Sequence, residues 1–377
     1  MNTRTSCSRN KKFSLAGIRL TILIVLVLTA CTSTTPGPVT SLPVATPITE
    51  LRTLRVMTHD SFAISEAVLA AFEAENGVKV QFVKSGDVGT ALNKAILSKD
   101  NPLADVFYGV DNTFLSRALT EGIFEAYNSP GLAGIADEFK LDAENRALPV
   151  DYGDVCLNYD KVYFTKNNLP PPVTLDDLLK PEYKSLLVVE NPATSSPGLA
   201  FLLTTIGNYG DPGYLDYWKK LVQNDVLVVD GWETAYNTEF SGAAGKGARP
   251  IVVSYNSSPA FEVIYAEPPV EQPSSAAIVS PKTCFRQIEF VGILTGNQNR
   301  DLAEKWVDFM LSKTFQEDLP LQMFVFPVNP QAKLAETFTK YLQQPQETAN
   351  SEAAASPANI AAKREAWLKA WTEAVLR

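Results

Sequence analysis

Apolar and polar positions alternate with two different periods along residues 54–120, and these periods predict strands and helices in turn. A period of two is typical of a β-strand, whereas apolar residues three and four apart are typical of a helix that buries one face. The predicted order is strand Leu54–Thr58, helix Ser65–Asn76, strand Val78–Val83, helix Gly89–Lys99, strand Asp105–Gly109 and a helix from Thr113. Elements in this order form a parallel sheet with covering helices.

A second alternating set occupies residues 186–254, and two long extended segments separate it from the rest of the chain. Its elements are strand Leu186–Glu190, a helix from Gly198, strand Val226–Val229, a helix from Trp232 and strand Ile251–Ser254. The extended segments are Leu148–Tyr159 and Thr283–Leu294, and the later helices are Asp301–Leu311, Lys313–Leu319 and Asn359–Leu376. We therefore expect an α/β fold of two lobes, each a mostly parallel sheet with flanking helices, joined by two crossovers.

These segments also set the expected domain boundaries. Residues 52–150 form the first part of lobe 1, and residues 151–282 form lobe 2, with a hinge crossover near 148–159. Residues 283–377 contain the return crossover, the completion of lobe 1 and the C-terminal helices. Ligands of open α/β sheets bind beyond the carboxyl ends of the strands, so a ligand is expected between the lobes.

Residues 1–30 have the order of a secretory signal, with a basic start, an apolar run at Leu20–Leu28 and small residues at the end. The run is shorter than the roughly 20 apolar residues of a membrane-spanning helix. Its end, Leu28-Thr29-Ala30-Cys31, resembles a bacterial lipobox, so we expect Cys31 to carry lipid as the first mature residue. The alternatives are an ordinary cleaved signal, with Cys31 incidental, or an uncleaved anchor. Residues 31–51, rich in Thr, Pro and Ser, are expected to form a flexible tether.

The net charge of the chain limits the classes of binding partner that are expected. The formal net charge is −9, and removal of the signal, which holds five basic and no acidic residues, leaves −14. A strongly acidic chain lacks the basic patch that nucleic acid requires, so no nucleic-acid partner is expected.

Two of the four cysteines lie outside the predicted signal and lipid site and are candidates for a disulfide. Cys7 leaves with the signal and Cys31 is the candidate lipid site. Cys156 and Cys284 remain in an exported protein, which favours one disulfide, with two separate buried thiols as the alternative.

The segments that follow the predicted strands share aromatic rings and carboxylates and lack Lys and Arg. They are His59–Phe62, Gly109–Asn112, Asp151–Gly153, Asn191–Gly198, Asp230–Trp232 with Tyr236, and Ser254–Pro259. Aromatic faces attract a cation and carboxylates offset its charge. These segments therefore predict a flat, positively charged organic ligand.

Seven motifs in one order make the chain similar to the thiamine-binding solute receptors of ABC importers. They are Thr58-His59-Asp60-Ser61-Phe62, Ala104-Asp105-Val106 with Gly109-Val110-Asp111-Asn112, Asp151-Tyr152-Gly153, Thr194-Ser195-Ser196-Pro197-Gly198-Leu199, Gly231-Trp232-Glu233-Thr234-Ala235-Tyr236, Ser254-Tyr255 with Ser258-Pro259-Ala260, and Arg364-Glu365-Ala366-Trp367. The resemblance covers roughly residues 54–377. It implies the type II-like periplasmic-binding-protein clamshell, whose crossovers run side by side through the hinge and would bring Cys156 beside Cys284.

The resemblance also implies a ligand site. Trp232 and Tyr255 match the positions that hold the thiamine rings, and Thr194, Ser195 and Ser196 match a loop close to the phosphate of phosphorylated ligands. Free N–H groups at a helix start suit such an anion. His59 stands where relatives have Tyr, and Phe324 where they have Trp, so both positions keep a flat ring. The other expected ligand contacts are Asp60, Asp111 and Tyr236.

Catalysis has little support in the sequence. His59 is the only histidine, which excludes a histidine-rich metal site, and no Gly-x-Ser-x-Gly or phosphate-loop motif is present. We expect a lipid-anchored, extracytoplasmic, monomeric receptor without cofactor or metal, which passes thiamine or a thiamine phosphate to a membrane permease. The alternatives are a receptor for another small cation, such as a polyamine, and a surface-tethered hydrolase using Asp60, Asp111 or His59.

Overall fold

The computed structural model of the protein describes residues 51–377 except Ala244. The predicted signal, Cys31 and the tether up to residue 50 lie outside these residues. In the part of the chain that is described, no helix combines the length and the apolar character needed to cross a membrane.

The described residues contain eleven strands that share one sheet. The strands are β1 Arg52–Thr58, β2 Val78–Lys84, β3 Val106–Asp111, β4 Phe124–Glu125, β5 Leu148–Asp160, β6 Leu187–Glu190, β7 Leu227–Val229, β8 Ile251–Tyr255, β9 Ser275–Ile278, β10 Phe285–Leu294 and β11 Phe326–Pro327. Along the sheet they follow the order β2-β1-β3-β10-β5-β8-β6-β7, with β4 beside β10 and with β9 and β11 beside β5.

Helices cover both halves of this sheet. They are α1 Glu66–Asn76, α2 Val88–Leu97, α3 Leu115–Thr120, α4 Lys161–Lys166, α5 Ser196–Tyr209, α6 Gly213–Gln223, α7 Trp232–Thr234, α8 Ser258–Ile264, α9 Arg300–Leu311, α10 Lys313–Gln322, α11 Glu336–Thr339 and α12 Pro357–Val375. Short 3-10 turns occur at Pro130–Gly134, Asp137–Phe139, Leu175–Leu179, Pro181–Tyr183, Ala349–Ser351 and Ala353–Ala355, and a π-helical turn, Ala235–Glu239, continues α7.

Strand direction divides the sheet into two halves. β1 pairs in parallel with β2 and β3, and β6 pairs in parallel with β7 and β8. The long strands β5 and β10 run antiparallel to each other and to β8 and β3, respectively. The expected α/β architecture is thus confirmed, with two parallel sets of strands joined through two crossover strands at the centre.

The crossover strands also carry the remaining cysteine pair. Cys156 lies on β5 and Cys284 directly precedes β10, and a disulfide joins them with 4.4 Å between their Cα atoms. Both side chains are buried against Ala277. The pair that the sequence favoured as a bridge is therefore bonded, at the centre of the sheet.

Four tryptophans of the helices pack in the core. Trp218, Trp306 and Trp371 are fully buried, and Trp218 meets Trp371 edge-on at a ring distance of 5.3 Å. Trp367 is 3% exposed.

Seven of these strands and helices went unpredicted, namely the strands β4, β9 and β11 and the helices α4, α6, α8 and α11. The apolar spacing typical of a helix is present in α6, where one buried face is formed by Tyr214, Tyr217, Trp218 and Leu221. Helix α5 begins at Ser196 instead of Gly198, because Ser195 caps it and Pro197 fits its first turn.

Candidate functional site

A cavity of about 410 Å³ lies between the two halves of the sheet, beyond the carboxyl ends of β1, β2, β7 and β8. Its lining residues come from both halves and from the segment before β11. They are His59, Asp60, Ser61, Gly86, Asp87, Val88, Thr90, Ser196, Pro197, Asp230, Gly231, Trp232, Glu233, Thr234, Tyr236, Asn237, Tyr255, Ser258, Phe261, Gln287, Glu289, Gln322, Met323, Phe324 and Val325. Seven of the ten predicted ligand residues are among them; Asp111, Thr194 and Ser195 are not.

Two stacked rings form one wall of the cavity. Trp232 begins α7, and its ring lies parallel to Tyr236 at a centroid distance of 5.0 Å and an angle of 11°. The indole Nε1–H donates to Ser254 Oγ at 2.9 Å, which fixes the ring orientation. Tyr236 is only 1% exposed and lies behind Trp232. Trp232 therefore presents a flat, oriented face to the cavity, and Tyr236 supports it.

A third aromatic ring, that of Tyr255, comes from the last residue of β8. The space for this ring depends on a glycine of the crossover strand β5. A Cβ on Gly153 would lie 3.1 Å from Tyr255 Cδ1, so the absence of a side chain at Gly153 leaves room for the ring. The Tyr255 hydroxyl donates to Gln287 Oε1 at 3.3 Å. The motif Asp151-Tyr152-Gly153 thus contributes space beside the cavity.

Phe324 lines the cavity from the segment before β11. Its ring meets Phe261 edge-on at 4.8 Å and Tyr265 at 5.8 Å, so it belongs to an aromatic group as well as to the wall.

His59 is buried against another glycine. A Cβ on Gly109, whose φ is +115°, would lie 2.7 Å from His59 Cδ2, so only glycine fits beneath the imidazole. Nε2 has no hydrogen-bond partner and lies 3.9 Å from Glu289 Oε1. Burial lowers the pKa of His59 to about 4, so the ring is neutral near pH 7. The imidazole therefore faces the cavity with a buried polar atom unpaired.

Asp60 has a structural task although it lines the cavity. Its Oδ1 accepts from the backbone N–H of Gly86 at 2.8 Å, and its carbonyl accepts from Lys84 Nζ at 2.8 Å. Asp60 thus ties the loop after β1 to the loop after β2.

The three predicted residues outside the wall act in turns and caps. Asp111 Oδ1 accepts from the Thr113 hydroxyl at 2.7 Å and from two backbone N–H groups at the start of α3. The Thr194 hydroxyl donates to the carbonyl of Asp230 at 2.6 Å, and Ser195 Oγ accepts from Gly198 N at 3.4 Å. Direct ligand contact was expected of all three; none of them is among the lining residues, and each has a polar side-chain atom bonded locally.

Ser196 differs from its neighbours in the same loop. It lines the cavity, and its Oγ is buried without a hydrogen-bond partner. Its backbone N–H points to Asp87 Oδ1 at 3.4 Å. Of the three Ser/Thr residues predicted in this loop, Ser196 is the one that lines the cavity.

Asp87 was not predicted from the sequence as a ligand residue, although it follows strand β2 as His59 follows β1. Its Oδ1 accepts from Val88 N at 2.7 Å, and its Oδ2 accepts from Trp232 N at 3.0 Å. A search for carboxylates after every predicted strand would have found it.

Glu289 was also not predicted as a ligand residue. Candidates were sought in the segments after strands, whereas Glu289 lies inside the crossover strand β10. It is 6% exposed, lines the cavity and lies opposite Asp151 of β5. An acidic residue between Ile288 and Phe290 in an apolar strand was the signal available in the sequence.

The cavity is acidic. Five carboxyl side chains line it, namely Asp60, Asp87, Asp230, Glu233 and Glu289, and none of its described lining residues is Lys or Arg. Its potential therefore favours a cation. Within residues 51–377 as described, no group of three His, Cys, Asp or Glu side chains is arranged to hold a metal ion.

Known proteins share this architecture. Residues 101–356 match the family described as bacterial extracellular solute-binding protein. The chain is 32% identical to the thiamine-binding periplasmic protein of Escherichia coli (strain K12), over 86% of this chain and 94% of that protein. It is 30% identical to the thiamine-binding periplasmic protein of Brucella suis biovar 1 (strain 1330), over 86% and 92%. A solved periplasmic thiamin binding protein has a TM-score of 0.73 at 29% identity, over 87% of this chain and 97% of that one.

Proposed function

This chain belongs to the family of thiamine-binding periplasmic proteins, among the bacterial extracellular solute-binding proteins, and from that membership we propose that its own ligand is thiamine or a thiamine phosphate. Members of this family are binding proteins, so the chain is a solute receptor and not an enzyme. The hydrolase alternative is therefore set aside.

One observation supports the ligand most directly: an oriented indole face and a tyrosine share a cavity with five carboxyl side chains. Trp232 is held by Tyr236 and Ser254, and Tyr255 lies in the same cavity. Thiamine has a cationic thiazolium ring and a flat aminopyrimidine ring. Aromatic faces bind such rings by stacking and by cation–π attraction, which strengthens away from water.

A titration with thiamine tests this proposal. Tryptophan fluorescence and the melting temperature are followed as thiamine is added, with spermidine as a second cation that lacks aromatic rings. We expect thiamine to quench Trp232 and raise the melting temperature, because a ligand that binds only the folded state stabilises it. A response to spermidine alone would favour the polyamine receptor, and no response to thiamine would overturn the proposal.

The delivery and anchoring of the receptor are further parts of the proposal. A solute receptor of this family passes its ligand to an ABC permease, and a lipid on Cys31 would keep this monomeric chain at the outer face of the membrane. Replacement of Cys31 by Ala, followed by fractionation of cells and mass spectrometry of the N-terminal peptide, tests the lipid anchor. Retention of Cys31→Ala in the membrane fraction would contradict it.

A further inference from the structure

A buried cluster of three oxygen-bearing side chains borders the cavity at the centre of the sheet. Tyr108 of β3 places its hydroxyl 2.6 Å from Asp151 Oδ2 and 3.1 Å from Glu289 Oε2. Tyr108 and Asp151 are 0% exposed and Glu289 is 6% exposed. Glu289 is the member of the cluster that lines the cavity.

The geometry of this cluster favours a proton on one of the two carboxyl groups. A tyrosine hydroxyl has one hydrogen to donate, so it satisfies only one of the two carboxylates. The other contact is a hydrogen bond only when a carboxyl group donates to the tyrosine oxygen. Two ionised carboxylates this close in a buried site would also repel each other. One proton shared by Asp151 and Glu289, with one negative charge on the pair, would satisfy both contacts and avoid this repulsion.

The neighbours of Glu289 strengthen this conclusion. Within the sheet Glu289 lies between Asp111 of β3 and Asp151 of β5, and His59 is the nitrogen base nearest to it. The charged and titratable groups that face it from the packed elements are Asp111, Tyr108, Asp151, His59 and Tyr255. None of these five is a cation near pH 7, because the imidazole of His59 is neutral there. Burial and the nearby Asp151 charge raise the pKa of Glu289, and burial also raises the pKa of Asp151.

An unpaired buried atom lies beside this cluster. His59 lines the same cavity and is 8% exposed, and its Nε2 has no hydrogen-bond partner and lies 3.9 Å from Glu289 Oε1. Buried polar atoms are normally satisfied. A ligand group placed between His59 and Glu289 would supply the missing partner.

We propose that the Asp151–Glu289 pair recognises the positive charge of the ligand, and that binding of a cation beside Glu289 expels the shared proton. In this step a carboxyl O–H bond breaks, the proton passes to the solvent, and the second carboxylate remains as counter-ion of the ligand. The empty site thus keeps a low charge in its buried interior, and the full double charge develops only when a cation is present. This inference rests on the proposed function, because thiamine supplies the permanent cation.

The pH dependence follows from the direction of proton transfer. A protein that releases one proton on binding gains affinity as the pH rises, by up to about tenfold per pH unit. Glu289→Gln or Asp151→Asn removes one of the two acids, so proton release is lost. Loss of the charge at Glu289 also removes the counter-ion nearest to the ligand.

Isothermal titration calorimetry with thiamine tests the inference. Titrations at pH 7 in phosphate and in Tris, whose ionisation enthalpies differ, count the protons released, and titrations from pH 6 to pH 8 give the affinity. We expect the wild-type protein to release up to one proton and to bind thiamine several-fold more tightly at pH 8 than at pH 6. Glu289→Gln should release none and bind at least tenfold more weakly. Glu233→Gln, which changes an exposed carboxylate of the same cavity, should keep the proton release.

The outcomes separate this inference from the proposed function. Thiamine binding by the wild-type protein without buffer-dependent heat would overturn the proton release and leave the proposed function intact. Proton release that persists in both Glu289→Gln and Asp151→Asn would also overturn it. If thiamine does not bind to the wild-type protein at all, both proposals fall. The wild-type measurement decides the matter even if either variant does not fold.

Discussion

The carboxylate of Asp87 accepts a hydrogen bond from the backbone N–H of Trp232 at 3.0 Å. Asp87 belongs to the loop between β2 and α2, whereas Trp232 follows β7 in the other half of the sheet. A Cβ on the neighbouring Gly231 would lie 3.2 Å from Asp87 Oδ2, so the absence of a side chain there leaves room for this contact. One half-buried carboxylate thus joins the two halves at the edge of the cavity and positions the main aromatic face.

Asp87→Ala should weaken thiamine binding roughly tenfold or more, because hydrogen bonds to a charged group contribute about 1.5–3 kcal/mol each. Calorimetry measures the loss. Asp160→Ala is the matched control, because Asp160 caps α4 through Val162 N and Tyr163 N and does not line the cavity. That variant should lose about 1 kcal/mol of stability and keep its affinity. Equal affinity losses in both variants would refute the role of Asp87.

Trp232→Ala should reduce thiamine affinity by about tenfold or more, since a stacked aromatic pair and a cation–π contact each contribute about 0.5–1.5 kcal/mol. Trp232→Phe keeps a ring on Tyr236 and removes the bond to Ser254 and part of the stacking surface, so its loss should be smaller. Fluorescence from a labelled ligand or calorimetry gives both affinities. Wild-type binding by Trp232→Ala would rule out the aromatic wall as the ligand platform.

Ser196→Ala should impair the binding of thiamine phosphates more than the binding of thiamine. Ser196 lines the cavity and its buried Oγ has no hydrogen-bond partner, whereas the hydroxyl of Ser195 accepts from Gly198 N and caps α5. Ser195→Ala should therefore cost about 1 kcal/mol of stability without preference among the ligands. Titrations of both variants with thiamine, its monophosphate and its diphosphate distinguish these roles. Equal losses of affinity for all three ligands in Ser196→Ala would show that this loop does not contact the phosphate.

Reduction of the Cys156–Cys284 disulfide should lower the melting temperature and leave thiamine affinity within a few-fold. The bridge spans 128 residues of sequence and joins the two central strands, away from the cavity wall. Loss of such a bond typically costs about 2–5 kcal/mol, chiefly because the unfolded chain regains freedom. Scanning calorimetry of the oxidised protein and of the Cys156→Ala, Cys284→Ala double variant measures the effect. A large loss of affinity in the folded variant would show that the bridge also shapes the site.

Glu190→Gln should make the protein less sensitive to rising pH. Glu190 is 0% exposed, and neither of its carboxylate oxygens has a hydrogen-bond partner. Burial raises its pKa well above the ordinary value. The folded state must hold a proton that the unfolded chain releases, so wild-type stability falls above the unfolded pKa, by up to about 1.4 kcal/mol per pH unit.

Unfolding in urea at pH 5 and pH 8 measures that difference. The stability of Glu190→Gln relative to wild type should rise between the two values, whereas Glu75→Gln, at an exposed position, should behave as wild type at both. A constant offset of Glu190→Gln across this range would mean that Glu190 is ionised in the folded protein.

The candidate site was only partly predictable from the sequence. Rings and carboxylates after strands identified His59, Trp232 and Tyr255, because strand ends in an α/β sheet meet at one edge. Predictions for Thr194 and Ser195 placed them in the right loop, but the local caps that consume their hydroxyls depend on the α5 start and on Asp230. Whether a polar side chain faces a ligand or its own backbone is decided by rotamers within one turn, which the sequence pattern does not resolve.

The order of strands and helices, the two long crossover segments and the acidic, aromatic character of the segments after the strands follow from local periodicity and residue type. These properties were therefore predictable without a structure. The meeting of Tyr108, Asp151 and Glu289 in one buried site was not, because their strands pair across up to 181 residues of sequence. A shift of one residue in the register of β5 or β10 would turn these side chains to the opposite face of the sheet.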